Sequence, residues 1–318
     1  MLEKKDFINI LEQYNIGKYK NSKHMGHAHA NNVYRLRTTK GDYILKQLLF
    51  FDKKKELELK TGQHNITENL YNQGVPVPHF IKSKHNNFIL DYKDKKVIIQ
   101  TYFPGKSVKK LTDKQALDLA KKVGKMHRIL LKIRKNKYKI PAEEIITKLK
   151  RLNDIPNNIR GISTADRCKL LKDNIQSINL KKLRMSIIHK DIRGDNIVIY
   201  ENRIRAIIDW DDICYDYLCY EIGVIIYSFF VRPDKCNKKQ INIFLKEYQK
   251  YISFNEEEKK AAYYFALLRI IGVIGFFRYK IKINNKKKKE YEDIIYSLIK
   301  RYLCLEKISI GEFTKLFD

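Results

Sequence analysis

The run Ile187-Ile188-His189-Lys190-Asp191-Ile192-Arg193-Gly194-Asp195-Asn196, with the apolar stretches that follow it, decides how this chain is read. Three short pieces, Ser186 to Ile188, Ile197 to Tyr200 and Ile204 to Asp209, have strand character. His-x-Asp-x-x-x-x-Asn lies between the first two, and the third ends on an aspartate thirteen residues beyond Asn196. Any one of these polar residues alone is an ordinary turn former. Four of them at this spacing, set between apolar strands, call for another explanation.

Phosphoryl transfer supplies one, and the spacing is that of kinase catalytic loops. The reaction needs a carboxylate beside the attacking hydroxyl and hard oxygen ligands for magnesium. Asp191 is then expected to accept or orient the hydroxyl proton, and Asn196 to hold Mg2+ through its amide oxygen. Asp209 is expected to bind the metal that bridges the phosphates of ATP. His189 reads as structural support for the loop. Arg193, two residues past Asp191, either neutralises the transferring phosphate or is a solvated surface arginine.

Upstream, Phe7, Ile8, Leu11 and Tyr14 share one face of an expected helix over residues 4 to 14. Strand character marks Val33 to Arg37, Asp42 to Leu49, His79 to Lys82, Phe88 to Asp91 and Lys96 to Tyr102, with a hairpin turn at Lys40-Gly41-Asp42. A helix over residues 54 to 73 interrupts them and stops at Gly74, before Pro76-Val77-Pro78. From Lys106 onward amphipathic helices dominate, the first over 113 to 133 with Thr112 and Asp113 as caps. Others are expected near 141–153, 164–178, 216–231, 238–252, 256–281 and 287–303. The fold class is therefore α+β: an N-terminal sheet lobe over 1–99, a hinge over 100–106 around Phe103-Pro104-Gly105, and a helical lobe over 107–318.

With 44% hydrophobic residues spread along 318 positions, the chain is long and apolar enough for a globular core. The formal charge of +29 attracts anions, but the lysines fall in short scattered runs, so nucleic-acid binding is not expected from charge alone. Five cysteines, an odd number without close pairs, suggest a reducing, cytoplasmic setting. The N-terminus shows no apolar signal core, so secretion is not expected. Ala261 to Phe277 is broken by Arg269 and is shorter than a bilayer span, which makes it a buried helix and no membrane span.

The chain resembles the aminoglycoside phosphotransferase and choline kinase superfamily, which shares the protein-kinase-like fold. Ile208-Asp209-Trp210-Asp211-Asp212-Ile213-Cys214-Tyr215-Asp216, continuing to Glu221-Ile222, resembles the bacterial homoserine kinase branch, and spore-coat kinase-like members are similar too. The resemblance spans most of residues 15 to 230 and implies a two-lobed kinase using ATP and Mg2+. It implies a phosphate-covering loop at Gly26 to Tyr34, with Gly26 and His27 among the nucleotide-binding residues. Lys46 would reach the nucleotide phosphates, and its place at the end of an apolar strand already asks for an anion. Gln100 to Phe103, including Tyr102, would be the connector facing the adenine edge. Asp211 and Asp212 would extend the acidic site, while Asp216 and Glu221 would brace the loop. A glutamate expected to pair with Lys46 falls near His64 or Asn65, where there is none; Glu58 and Glu68 are the nearby alternatives.

These residues point to a small-molecule kinase, with an amino alcohol or amino acid such as homoserine or choline as the hydroxyl acceptor. A protein kinase is disfavoured, because Asp-Phe-Gly, Ala-Pro-Glu and the Gly-rich loop are missing. Two alternatives stand beside it: an antibiotic phosphotransferase acting on aminoglycosides, and a kinase-like structural or spore-coat protein with little turnover. The positive charge argues against polycationic acceptors. Oligomeric state is not readable from the sequence.

Overall fold

A reciprocal cap starts the first helix, α1 (Lys4–Glu12): the Glu3 side chain takes an N–H from the first turn, and the Asp6 carboxylate takes the Glu3 N–H at 2.9 Å. Phe7, Ile10 and Leu11 follow at helical spacing and are buried against Tyr34, Leu36, Leu45, Val97 and Ile99 of a sheet. This computed structural model describes residues 2–28, 31–49, 55–134, 137–138 and 140–318. Two compact units make it up, Met1–Gly105 with Arg205–Asp211, and Lys106–Ile204 with Asp212–Asp318.

The first unit is an antiparallel sheet with helices. After α1 come β1 (Tyr19–Ala28), β2 (Asn31–Thr38), β3 (Gly41–Leu48), α2 (Lys55–Asn72), β4 (Phe80–Ile81), β5 (Ile89–Tyr92) and β6 (Lys95–Thr101). The strand order is β1-β2-β3-β6-β4, with β5 also pairing β6. Lys46 lies opposite Val33 on one side and Ile98 on the other, in the middle of the sheet. Strand β1 was not expected: Tyr19 to Ala28 holds no Val, Ile or Thr, and it is pairing with β2 that makes it a strand. That pairing also revises the expected loop at Gly26 to Tyr34. Gly26 pairs with Val33 and His27 with Asn32, so both belong to strand β1, while His29-Ala30 and the side chain of His27 lie outside the described residues.

The second unit is mainly helical: α3 (Asp113–Leu130), α4 (Ile145–Lys150), β7 (Asn158–Ile159), β8 (Ile162–Ser163), α5 (Ala165–Gln176), β9 (Met185–Ile188) and β10 (Ile197–Tyr200). The next strand in the chain, β11 (Arg203–Ile207), runs into the segment Arg205–Asp211 that belongs to the first unit. Then follow β12 (Cys214–Tyr217), α6 (Leu218–Phe230), α7 (Lys238–Gln249), α8 (Glu256–Ile283), α9 (Lys288–Glu306) and α10 (Ile310–Thr314). The turn between β10 and β11 is Glu201-Asn202, both with positive φ (48° and 60°), the conformation a two-residue hairpin turn requires. Helix α4 is shorter than expected because residues 151–154 tighten into a 3-10 turn.

Helices α6 and α8 form the centre of this unit. A Cβ at Gly223 of α6 would meet the Ala266 nitrogen of α8 at 2.7 Å, so glycine lets the two backbones come together. Helix α8 is long and apolar enough to cross a membrane, but its residues Ala261, Ala262, Phe265, Ala266, Leu268, Ile270 and Ile271 are buried in the core.

Candidate active site

The His189 to Asn196 loop lies in the helical unit, where β9 pairs antiparallel with β12, Ile188 opposite Cys214. Lys190 sits at φ 70°, a left-handed backbone that costs a non-glycine residue about 1 kcal/mol or more. A carboxylate holds the turn there. Glu221, fully buried on α6, accepts the His189 N–H at 2.9 Å and the Lys190 N–H at 2.6 Å, and bonds the His127 ring at 2.9 Å. His127 is held in turn by the Tyr248 hydroxyl at 3.0 Å. A buried acid with this many partners fixes the loop backbone, because leaving any of those donors unpaired costs about 1–3 kcal/mol.

The loop presents Asp191 in a cradle of donors. Its Oδ2 accepts from Arg193 Nε at 3.0 Å and Asn196 Nδ2 at 2.9 Å, and its Oδ1 accepts from Arg269 Nη2 of α8 at 2.8 Å. The same Asn196 Nδ2 reaches the Asp191 carbonyl at 2.9 Å. Asn196 thus spends its donor side on Asp191, which leaves its Oδ1 as the atom suited to a hard cation. His189 is fully buried and its Nδ1 accepts the Asp191 N–H at 3.4 Å.

Gly194 completes the turn. A Cβ there would lie 2.0 Å from the Val108 carbonyl oxygen, and Val108 N–H donates to Gly194 O at 3.2 Å. Gly194→Ala is expected to lower the urea midpoint by the equivalent of about 1–3 kcal/mol or more through overpacking against backbone. An unchanged midpoint would contradict this close approach.

Asp216 lies deeper. It is fully buried, takes the Tyr217 N–H at 2.7 Å and pairs with Lys148 of α4. Burial pushes its carboxyl up and Lys148 pulls it back. Glu143 joins the group through Lys190 and, at 3.4 Å, Lys148. Glu143, Cys214 and Asp216 are spaced closely enough to share a metal ion, but two ammonium groups already occupy that cluster and burial keeps the Cys214 thiol protonated.

The sheet unit carries a second polar cluster, formed by the segment after β11. Lys46 is only 8% exposed, and its Nζ meets Asp211 Oδ2 at 2.9 Å and Asp209 Oδ1 at 3.2 Å. Asp211 is further held by Lys60 Nζ at 2.8 Å and Asn31 Nδ2 at 3.0 Å, while Gln63 Nε2 donates to its carbonyl at 2.8 Å. Asp209 has only Lys46 as its ion-pair partner among the described residues and is 41% exposed, at φ 66°. Burial works against both charges of the inner pair. Asp211 and then Asp209 overcome it for Lys46, whose pKa stands above the usual lysine value. Lys46 and then Lys60 overcome it for Asp211, whose pKa stands below the carboxylate range. The Asp211 contribution is present above the ordinary carboxylate pKa and lost as pH falls through the depressed one. The Lys46 contribution is present below the ordinary lysine pKa and lost as pH rises through the raised one. The pair is therefore expected to be intact throughout pH 5–9, about the range between those ordinary values.

Residues 25–251 match the phosphotransferase enzyme family, a span of more than half the chain. The chain belongs to this family. Curated relatives include the homoserine kinase of Bradyrhizobium diazoefficiens, 22% identical over 262 residues that cover 80% of this chain and 78% of the relative. Another is the homoserine kinase of Gluconobacter oxydans, 22% identical over 234 residues covering 71% of each. Among solved structures, amicoumacin kinase hAmiN in complex with AMP-PNP, Ca2+ and Ami aligns with TM-score 0.73 at 16% identity, over 97% of this chain and 95% of that one. A choline/ethanolamine kinase family protein from Mesorhizobium loti aligns with TM-score 0.65 at 12% identity, over 98% and 95%. The fold is accordingly protein-kinase-like.

Within this family member, the partner of Lys46 differs from the one the sequence suggested. Asp211 and Asp209 take the ammonium, while His64 is buried in the core, stacked on Phe88 at 4.3 Å, and Glu68 pairs with His79 at 2.9 Å. Helix α2 contributes Lys60 and Gln63 to the cluster. Gln100 lies inside β6, beside Ile44 and Phe80, and Tyr102 just beyond it carries the Arg35 guanidinium 4.1 Å above its ring. Lys60 and Gln63 were not anticipated as parts of the site, and neither were Asn31 and Arg269. Asn31 fell within the expected loop, and Arg269 was seen only as a break in an apolar helix. An arginine in such a helix is itself a signal, since its charge must find an anion.

Proposed function

We propose that this chain is an ATP- and Mg2+-dependent kinase that phosphorylates a hydroxyl of a small molecule, an amino alcohol or amino acid such as homoserine or choline. The observation that carries this reading is the Asp191 cradle: a carboxylate oriented by Asn196, Arg193 and Arg269 on a loop pinned by Glu221. Asp191 would take or orient the proton of the acceptor hydroxyl, and Arg193 would offset charge on the phosphoryl group in transfer. Lys46 would hold nucleotide phosphates while Asp211 keeps it in place. The backbone near Gln100 and Tyr102 would meet the adenine, and that of Gly26 and His27 the phosphates.

The donor types fit a magnesium ion. Asn196 has an amide oxygen without a partner among the described residues, and Asp209 a partly exposed carboxylate, both hard oxygen ligands. Bound magnesium would neutralise the phosphate oxygens and so ease attack on the terminal phosphorus. The homoserine kinase names among the relatives and the net charge of +29 favour a small amino acid over a polycationic antibiotic. Antibiotic phosphorylation is the second reading, supported by the amicoumacin kinase and by spectinomycin phosphotransferase APH(9)-Ia in complex with ADP and spectinomycin, TM-score 0.66 at 16% identity, over 96% of this chain and 99% of that one. A cytoplasmic setting, where ATP is supplied and the five free thiols stay reduced, goes with either.

A coupled ADP-release assay over homoserine, choline, methylthioribose and aminoglycosides tests the reading. Acceptor-dependent ADP release with a small amino acid or amino alcohol is expected. Release only with aminoglycosides would favour the antibiotic reading, and none with any acceptor would favour a structural protein.

A further inference from the structure

Tyr227, on the last turns of α6, lies among arginines from four places in the helical unit. The Arg301 guanidinium of α9 sits 5.8 Å from its ring centre. Burial raises the Tyr227 pKa, and Arg301, Arg269 and Arg193 pull it down while Asp191 pushes it up, so the phenol shares its surroundings with the Asp191 cradle. Arg232, just beyond α6, feels the charge of Arg301. Burial and then Arg301 lower its pKa, with Tyr227 and Asp234 acting in the opposite sense.

The acids nearby do not account for these cations. Asp191 is shared by Arg193 and Arg269, and Asp195 pairs with Arg193 at 3.3 Å. Arg232 donates to the Ser228 carbonyl at 3.0 Å and to the Lys109 carbonyl, and forms no ion pair with Asp234. Among the described residues Arg301 has no ion pair either, and the Nε atoms of Arg269 and Arg301 are buried without an acceptor. Buried guanidinium N–H groups left unpaired are costly, and two repelling guanidiniums without a shared carboxylate are costlier still. The Arg301 guanidinium, with its buried Nε unpaired, is the kind of planar donor that receives an oxyanion.

We propose that the hydroxyl acceptor carries an oxyanion, in the first place a carboxylate, received by Arg301 beside Tyr227 while Asp191 meets the hydroxyl. This rests on the kinase reading and narrows it: an amino acid fits, whereas choline and the polycationic antibiotics lack the group.

The test is calorimetric titration of the full chain, saturated with Mg-ADP, by 4-hydroxybutyrate, by its neutral amide and by inorganic phosphate. Saturable binding of 4-hydroxybutyrate but not of the amide is expected, weakened roughly 10- to 100-fold in Arg301→Gln. Arg301→Lys, which keeps the charge but not the fork, should fall between. Phosphate binding that is tighter than that of 4-hydroxybutyrate and lost in Arg301→Gln would uphold the oxyanion site but make the acceptor a phosphoester. Equal binding of acid and amide, no binding of any probe, or wild-type affinity in both Arg301 variants would overturn the proposal. Mg-ADP affinity and thermal unfolding check that each variant is folded. Should Mg-ADP itself fail to bind wild type, the kinase reading falls, while titration without nucleotide still decides the anion site.

Discussion

Asp191→Asn is expected to leave a folded protein with wild-type affinity for Mg-ADP and phosphoryl transfer slowed roughly 100- to 10,000-fold. Asparagine has nearly the shape of aspartate and keeps one oxygen for Arg269, Arg193 or Asn196 to find. What it loses is the negative charge and the capacity to accept a proton. The loop itself does not depend on that charge, because Glu221 holds the His189 and Lys190 amides independently. Thermal shift with Mg-ADP and steady-state ADP release separate the two effects. Full turnover would remove Asp191 from the chemistry, and loss of Mg-ADP binding as well would mean that the cradle is a structural element first.

The second large effect is expected at Asp209. Asp209→Asn should abolish the magnesium-dependent part of ATP affinity, a loss of several kcal/mol or on the order of 100- to 1000-fold, while affinity measured in EDTA is unchanged. The substitution is sterically mild, since asparagine tolerates the left-handed backbone at φ 66° about as well as aspartate does. It also spares the nearby pair, because Asp211 holds Lys46 at 2.9 Å without help from Asp209. Titration of ATP with and without magnesium reads this directly. An unchanged magnesium dependence would place the metal ligands elsewhere.

The parts of the fold that were legible are those in which local pattern and tertiary setting agree. Helix α3 has a Thr112–Gln115 capping box and a buried face at helical spacing, and it is found over Asp113–Leu130. Strands β9 and β10 are apolar and buried, and they stand within a residue of where they were expected. Where pairing decides against composition the sequence misleads, as in polar β1. The last two residues of β12, Asp216 and Tyr217, were likewise placed at the start of the helix expected over 216–231, because Cys214 to Tyr217 is a strand by virtue of its partner β9.

The site shows the same division. Asp191, Asn196 and Asp209 are close in the chain, so spacing singled them out as candidates, and the structure joins Asp191 to Asn196 at 2.9 Å and Asp209 to Lys46 at 3.2 Å. The ion-pair partner of Lys46 lies 165 positions away at Asp211, and no local pattern says which of several acids will reach it. Glu221 was expected to brace the loop through a family likeness. The geometry gives the physical account: a buried carboxylate, one helix away, accepting from two consecutive backbone amides. Arg301 carries no sequence signal at all, since a surface helix is full of such residues; only its buried, unpaired Nε sets it apart.

Transfer of the γ-phosphoryl group of ATP to a hydroxyl, followed by phosphorus NMR with homoserine and the other acceptors pooled, tests the central claim most directly. A new phosphomonoester resonance is predicted with wild type and magnesium, and only a trace over the same time with Asp191→Asn. An unchanged ATP spectrum, inorganic phosphate as the sole product, or an equal yield from the variant would contradict it.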